Sequence, residues 1–214
     1  MARSEETRTA LLDAAERLFA ELGISGASDR KVAEAAGQRN HSAVAYYFGG
    51  RDGLLTAMVE RHTVSLEDGR RRHFETSTSL LGDVRSLVLP LTETLALLPT
   101  PSWRAQFLAR ALHHQDTRPL LDGGLDRTPV ALEIGRSLAE RLDHLEPDII
   151  RARVDLMMRT AVVTCAEVER AALEGRRAAR WESTGVFLSD ALAGMVAAPS
   201  TLQGAGAAAP ATDT

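Results

Sequence analysis

The chain has 214 residues, a length that suits a small domain followed by a larger one. Aromatic residues make up only 4% of it and its formal net charge is −4, so a core of Leu, Ala and Val is expected and a generally basic nucleic-acid coat is excluded. The single cysteine, Cys165, excludes an internal disulfide. No apolar run approaches about 18 residues, and the polar N-terminus lacks the apolar region of a secretory signal, so we expect a cytoplasmic protein without a membrane span.

The first predicted element is an amphipathic helix over residues 3–22. Its apolar side chains recur at the i, i+3, i+4, i+7 spacing of one helical face, and Gly23 is suited to end it. Ser28 is a favourable N-cap for a second, short helix, whose apolar pattern ends at Gly37. These signals predict two helices joined by a short connection.

A third short helix is predicted to begin at His41 or Ser42. Val44, Tyr47 and Phe48 share one face and are assigned to the core. Two short helices separated by a glycine-containing polar turn are typical of a helix-turn-helix. Side chains around the second helix are donors and aromatics that can reach phosphates and base edges, which makes them candidate DNA contacts: Arg39, Asn40, His41, Ser42 and Tyr46.

Three segments of this region resemble the DNA-binding domain of TetR-family transcriptional regulators: A-E-R-L-F-A-E-L-G (15–23), S-D-R-K-V-A-E-A-A-G (28–37) and Y-Y-F-G-G-R-D-G-L-L (46–55). The resemblance implies that Ser28 and Arg51 contact DNA phosphate. In this chain the turn is about one residue longer than the family's, and Ala45 stands at the family's usual Tyr, which shifts the phosphate contact to Tyr46.

Beyond residue 50 the sequence predicts helices and connecting loops, with no strand pattern. The apolar stripe of 80–98 contains Pro90, which predicts a kink or a new helix there, and residues 116–125 are predicted to be a loop. The expected fold is all-α with about nine helices. We expect a helix-turn-helix domain at 1–50, a helical effector-binding and dimerisation domain at 51–198, and a disordered tail at 199–214.

The two predicted C-terminal helices, 147–173 and 181–198, are apolar over much of their surface and must be buried on more than one side. The resemblance implies that they pair with their copies in a second chain. A homodimer would present two recognition helices to a palindromic operator in double-stranded DNA. The interface candidates are Val154, Val162, Phe187, Leu188, Leu192 and Met195.

The middle of the chain would then hold a small-molecule effector. Aromatic, Met and thiol side chains suit an apolar ligand, although each of them is equally typical of plain core packing. The candidate pocket residues are Trp103, Phe107, His113, Met157, Met158 and Cys165. No cofactor and no bound metal are expected.

Two other functions are considered from the sequence. His113, His114 and Asp116 suggest a metal-dependent enzyme, but adjacent His side chains point about 100° apart on a helix and no catalytic motif accompanies them. A helix-turn-helix regulator that has no small-molecule effector is the other alternative. The main prediction is a repressor that a ligand releases from DNA.

Overall fold

The computed structural model describes residues 2–122 and 128–201. These residues form ten helices and no strand. The helices are α1 (Ala2–Leu22), α2 (Asp29–Ala35), α3 (Ala43–Phe48), α4 (Arg51–Phe74), α5 (Leu80–Leu97), α6 (Arg104–Ala111), α7 (Arg118–Asp122), α8 (Pro129–Arg141), α9 (Pro147–Leu173) and α10 (Trp181–Ala197).

The N-terminal helices α1, α2 and α3 pack around a small core with the first turns of α4. Phe19 on α1 and Val32 on α2 are fully buried there, and Val44 on α3 is buried beside them. Tyr47 and Phe48, which were predicted as core, are half-buried and pack against its edge. Because the central side chains come from different helices, the helix-turn-helix depends on α1 and α4 for its shape.

Helix α5 continues through Pro90 as one helix, so the proline does not start a new helix. Pro90 is buried where α5 approaches α4 closely. A Cβ added at Gly69 of α4 would lie 2.9 Å from the Cβ of Pro90. The absence of a side chain at residue 69 therefore allows the two helices to meet at the proline.

Helix α10 packs its inner face on α5. Gly185 allows the close approach, since an added Cβ there would lie 2.3 Å from Thr92 Oγ1. Leu188 and Leu192 are each 3% exposed on this inner face, whereas Phe187 on the outer face is 67% exposed. Helix α10 is thus covered by α5 on one side and leaves a partly apolar side exposed.

Two predictions about the elements were wrong. Helix α7 occupies residues that were predicted to be a loop, and the recognition helix α3 begins at Ala43, so His41 and Ser42 lie in the preceding turn. Of the predicted tail, residues 199–201 have no regular structure and the rest lies outside the described residues. No helix in the described part of the chain is both long and apolar enough to cross a membrane.

Candidate nucleic-acid interface and ligand cavity

The turn between α2 and α3 is ordered by local hydrogen bonds. Gly37 adopts a left-handed conformation with φ of +69°, which places the Gln38 N–H 2.9 Å from the Ala33 carbonyl oxygen and the Gly37 N–H 3.0 Å from that of Glu34. This pair of bonds is a Schellman motif, which ends a helix and satisfies its last carbonyls. A residue with a Cβ would be strained at 37, so the glycine sets the direction in which the chain leaves α2.

The Asn40 side chain then directs the chain into α3. Its Oδ1 accepts a hydrogen bond from the Ser42 N–H at 2.9 Å, and its carbonyl oxygen accepts one from the Ala43 N–H at 3.1 Å. This is an Asx turn, a side-chain substitute for a backbone turn. The Oδ1 of Asn40 orders the turn, and its side-chain NH₂ is the donor group left for the predicted contact with DNA.

The exposed side of α3 and its turn carries the remaining predicted DNA contacts. Tyr46 is 79% exposed and stacks edge-on against Tyr47, with ring centroids 5.0 Å apart. Arg39, His41 and Ser42 are also exposed, and Arg39 has no hydrogen bond or ion pair to any other described residue. The half-buried Tyr47 ring orients Tyr46, so one aromatic side chain projects from the middle of the recognition helix.

Ser28 is the N-cap of α2. Its Oγ accepts a hydrogen bond from the Lys31 N–H at 3.3 Å, which is the N-cap predicted from the sequence. Ser28 and Lys31 are both exposed. The hydroxyl and the nearby N–H groups of the α2 start are therefore available to an anionic group such as a phosphate.

The carboxylate of Glu34, near the end of α2, lies beside the turn and was not predicted to take part in the site. The Glu34 Oε1 accepts a hydrogen bond from Arg30 Nε at 2.8 Å and lies 3.7 Å from His41 Nδ1. The hydrogen bond from Arg30 lowers the pKa of Glu34, so this side chain stays negative. The i, i+4 spacing of Arg30 and Glu34 was the available signal. Glu34 positions both cations and repels phosphates that approach this part of the surface.

Arg51 does not lie on the exposed face. Its Nη1 donates to the Ala27 carbonyl oxygen at 2.8 Å and to Asp29 Oδ1 at 3.2 Å, and its Nη2 donates to the Ile24 carbonyl oxygen. The guanidinium also stacks on the Phe19 ring, 4.3 Å from its centroid. These contacts give Arg51 an internal role, because its donors hold the α1–α2 connection against the start of α4. Its contact with DNA phosphate stays a prediction.

The larger domain contains a cavity of about 470 Å³ between α4, α6 and α9, with α5 and α7 completing its wall. Its lining is mainly apolar, with Leu66, Leu91, Leu108 and Leu112 among the wall residues. Polar groups enter it from α4, where His62 and Arg70 are both less than a tenth exposed. The cavity therefore combines an apolar body with a few buried polar groups, as small-molecule sites do.

The predicted pocket residues are mostly elsewhere. Met158 lines the cavity, but the other five are not among its described wall residues. Phe107, Met157 and Cys165 are fully buried in the core, and burial raises the pKa of the Cys165 thiol to about 12, so it is not a reactive thiolate. Trp103 caps α6 near Arg17, and His113 borders a shallow groove beside α1. The apolar character of a residue was not enough to predict whether it lines the cavity or packs in the core.

His62 is buried as a neutral imidazole. Desolvation, strengthened by the positive charges of Arg104 and Arg70, lowers its pKa to about 3. Its Nδ1 has no hydrogen-bond partner among the described residues, and the same is true of Arg70 Nε. The α4 wall of the cavity thus presents two buried polar atoms that the described protein residues leave unsatisfied.

Helix α6 connects the cavity to the helix-turn-helix domain. Arg104 donates from Nε to the Glu16 carboxylate of α1, and Arg110 Nε donates to the Ala20 carbonyl oxygen at 2.8 Å. His114 Nε2 lies 2.9 Å from Ser25 Oγ in the α1–α2 connection. The His114 ring is used in this contact, and no cluster of three metal-binding side chains occurs within the described ranges.

The six predicted dimer residues fall into three groups by exposure. Three of them are buried within the chain and are not free to face a second copy: Leu188 and Leu192 on the face of α10 that covers α5, and Val162 on α9, which lines the cavity. Val154 and Met195 are half-buried, and Val154 lines the cavity. Phe187 alone of the six is exposed; the sequence reasoning missed its exposed neighbour Val186 and Leu156 on α9, which is 49% exposed.

We expect stability to depend on pH through His62. Its folded pKa of about 3 lies below the unfolded value of about 6.5, so the unfolded chain alone binds this proton between those values and stability falls as pH falls below 6.5. From pH 7 to pH 5 the contribution lost is about 2 kcal/mol. Urea unfolding at both pH values should show a smaller loss for His62→Gln than for the unmodified protein. His144→Gln, which changes an exposed His, is the control, and equal losses in all three would contradict the assignment.

Helix α2 ends in a Schellman motif, an ordered turn follows it, and α3 carries an exposed aromatic side chain. Together these features are those of a helix-turn-helix DNA-binding protein. Residues 11–58 match the model of the tetR family of bacterial regulatory proteins. Among curated proteins, none matches this chain. The N-terminal segment is thus similar to the DNA-binding domain of tetR-family regulators, and the overall fold is that of solved TetR-family regulators.

Solved structures share this fold across nearly the whole chain. A TetR-family transcription regulator from Marinobacter aquaeolei VT8 is 17% identical with a TM-score of 0.65, over 91% of this chain and 97% of its own. NalD of Pseudomonas aeruginosa, the secondary repressor of the MexAB-OprM multidrug efflux pump, is 20% identical with a TM-score of 0.59, over 88% and 96%. FadR of Bacillus halodurans, a fatty acid degradation regulator, is 18% identical with a TM-score of 0.59, over 88% and 95%.

Proposed function

We propose that this chain is a homodimeric transcriptional repressor that binds a palindromic operator and is released from it by a small molecule. The supporting observation is that one helix, α4, serves both sites. Its first residue, Arg51, holds the helix-turn-helix together, and its middle residues, His62 and Arg70, line the cavity. A ligand that moves α4 must therefore alter the position of the DNA-reading helix.

The exposed faces of α9 and α10 support the dimer. Leu156, Val186 and Phe187 are large apolar side chains that this subunit leaves uncovered, each at least 44% exposed. Pairing with a second copy would bury them in a four-helix bundle and double the number of base contacts. Two reading heads would then be held about 34–36 Å apart, or a multiple of it, to match half-sites on one side of the duplex.

Release follows from the difference in ligand affinity between two arrangements. Helix α6 lines the cavity with Leu108 and Leu112 and contacts α1 through Arg104 and Arg110. A ligand lowers operator affinity if it binds more tightly to the conformation of the dimer in which the spacing of the two helix-turn-helix domains does not match the half-sites. The change in the free energy between the two conformations cannot exceed the difference between their ligand-binding free energies. We also propose that the helix-turn-helix domain ends at residue 50, that the effector-binding and dimerisation domain begins at residue 51, and that the protein acts in the cytoplasm.

Selection of binding sites from random duplex DNA with purified protein tests this function directly. A dimer should enrich an inverted repeat, and Arg39 and His41 variants should change the selected bases, since base contacts specify sequence. Repeating the binding with a ligand panel separates a ligand-released repressor from a regulator without an effector. Failure to enrich any sequence would contradict the proposed function.

Tyr46→Ala should weaken operator binding by about 1–3 kcal/mol per subunit, because the most exposed side chain of α3 is removed. Fluorescence anisotropy with a labelled operator measures the effect. Tyr47→Phe is the control, since it keeps the half-buried ring that orients residue 46. Unchanged affinity of Tyr46→Ala would remove α3 from the DNA face.

A further inference from the structure

We propose that the cavity between α4, α6 and α9 takes an apolar molecule that carries one carboxylate, and that Arg70 binds this carboxylate. The proposal rests on the proposed function for the regulatory role of the ligand. It concerns the chemical class of the ligand, which the fold does not define.

The guanidinium of Arg70 is held in one orientation. Glu67 Oε1 accepts a hydrogen bond from Arg70 Nη1 at 3.0 Å, and Glu67 Oε2 accepts one from the Val130 N–H at 3.1 Å at the start of α8. Glu67 is held from a second helix by the Val130 N–H, so it helps to fix the orientation of Arg70. The Arg70 residue is only 7% exposed, so bulk water makes few contacts with it.

One edge of that guanidinium has no partner. No described residue accepts a hydrogen bond from Nε or Nη2 of Arg70, and the Nε is buried. These two groups form the edge with which arginine grips a carboxylate through two parallel hydrogen bonds. A buried donor without a partner costs about 1–3 kcal/mol, so an acceptor supplied by a ligand would remove a real penalty.

The charge around the cavity favours an anion over a cation or a zwitterion. Arg118, Arg151 and Arg159 also line it, against one acidic wall residue, Asp155. Asp155 lies one turn from Arg151 and one turn from Arg159 on α9, so positive groups flank it along the helix. The neutral His62 adds a polar atom to the same helix wall without adding positive charge.

The rest of the wall matches an apolar body. Leucine side chains come from α4, α5, α6 and α7, and Met158 adds an adaptable surface from α9. A volume of about 470 Å³ accommodates a medium-length chain or an aromatic acid. The carboxylate would anchor at Arg70 on α4 while the apolar body contacts α6 and α9, so the ligand would bridge the elements that carry the signal.

Isothermal titration calorimetry without DNA, at pH 7.5, tests the ligand class. The probes are octanoate, decanoate and 4-phenylbutanoate, each beside its primary amide, which has the same shape and no charge. At least one carboxylate should bind about tenfold or more tightly than its amide, as expected for charge-assisted hydrogen bonds. Equal binding of every acid and amide, or no binding of any carboxylate at 5 mM as an order-of-magnitude limit, would overturn the proposal.

The double variant Glu67→Gln, Arg70→Met removes the guanidinium without leaving a buried carboxylate alone. It should lose the preference for the acid while binding the amide within about threefold of the unmodified protein. Arg72→Met, an exposed arginine on the same helix, should keep the preference. A preference that survives in the double variant overturns the role of Arg70.

If circular dichroism shows that the double variant is unfolded, Arg70→Lys is used to test the proposal instead. Lysine retains the charge but lacks the two-donor edge, so acid affinity should fall about fivefold or more with the amide unchanged. Unchanged acid affinity would overturn the proposal. The calorimetry contains no DNA, so it tests the ligand class alone. In a separate operator-binding assay, an acid that binds the protein but does not release the operator would refute the proposed ligand-released repressor and leave the ligand class intact.

Discussion

Arg51→Ala is expected to destabilise the helix-turn-helix domain by about 2–4 kcal/mol in the absence of DNA. The substitution removes hydrogen bonds to the carbonyl oxygens of Ile24 and Ala27, the ion pair with Asp29, and the stacking on Phe19. Hydrogen bonds to charged groups contribute about 1.5–3 kcal/mol each where the partners are left unsatisfied. Thermal and urea unfolding of the full chain measure the effect.

Two controls distinguish an internal role from a phosphate contact. Arg30→Ala removes an exposed arginine whose ion pair with Glu34 should contribute little to stability. Arg51→Lys keeps the charge but cannot reach several acceptors at once, so it should remain destabilised. If Arg51→Ala were as stable as the unmodified protein and only its operator affinity fell, the internal role would be wrong.

Phe187→Asp is expected to convert the proposed dimer into a folded monomer. Light scattering should show the mass fall from twice 23.1 kDa to 23.1 kDa, because a desolvated carboxylate in an apolar interface has no partner. The fold should survive, since this side chain is 67% exposed in the subunit. Operator affinity should fall by about a hundredfold or more, because two half-sites are no longer bound by one linked molecule.

Val64→Asp is the matched control, because Val64 is an apolar residue of similar exposure, 62%, that belongs to α4 and not to α9 or α10. It should leave both the mass and the operator affinity unchanged. Leu188→Asp should behave differently from Phe187→Asp and unfold the subunit, since Leu188 is 3% exposed against α5. A Phe187→Asp protein that remains dimeric would refute the proposed interface.

Local signals were sufficient for much of the secondary structure. The bounds of α9, Pro147–Leu173, agree with the prediction because a proline at the first helical position and a long apolar period are both local features. The helix-turn-helix could be recognised for the same reason. Its cap at Ser28 and its stop at Gly37 depend on hydrogen bonds within a few residues.

Interaction partners could not be predicted from such signals. Arg51 stands where the family has a phosphate-binding Lys, but its acceptors lie 22 to 27 residues earlier and only packing brings them within reach. Helix α7 was missed because it is only five residues long and lies among turn-forming residues. The cavity wall comes from several helices, so no single segment revealed it.

The sequence by itself determined that the chain is all-helical and begins with a TetR-type helix-turn-helix, because caps, glycines and apolar periods act over short distances. The tertiary structure decided which apolar face of α10 is covered, where the cavity opens, and that Arg51 is internal while Arg70 is left with an unpaired edge. An apolar pattern indicates that a face must be buried, but only the packing of distant helices determines what buries it.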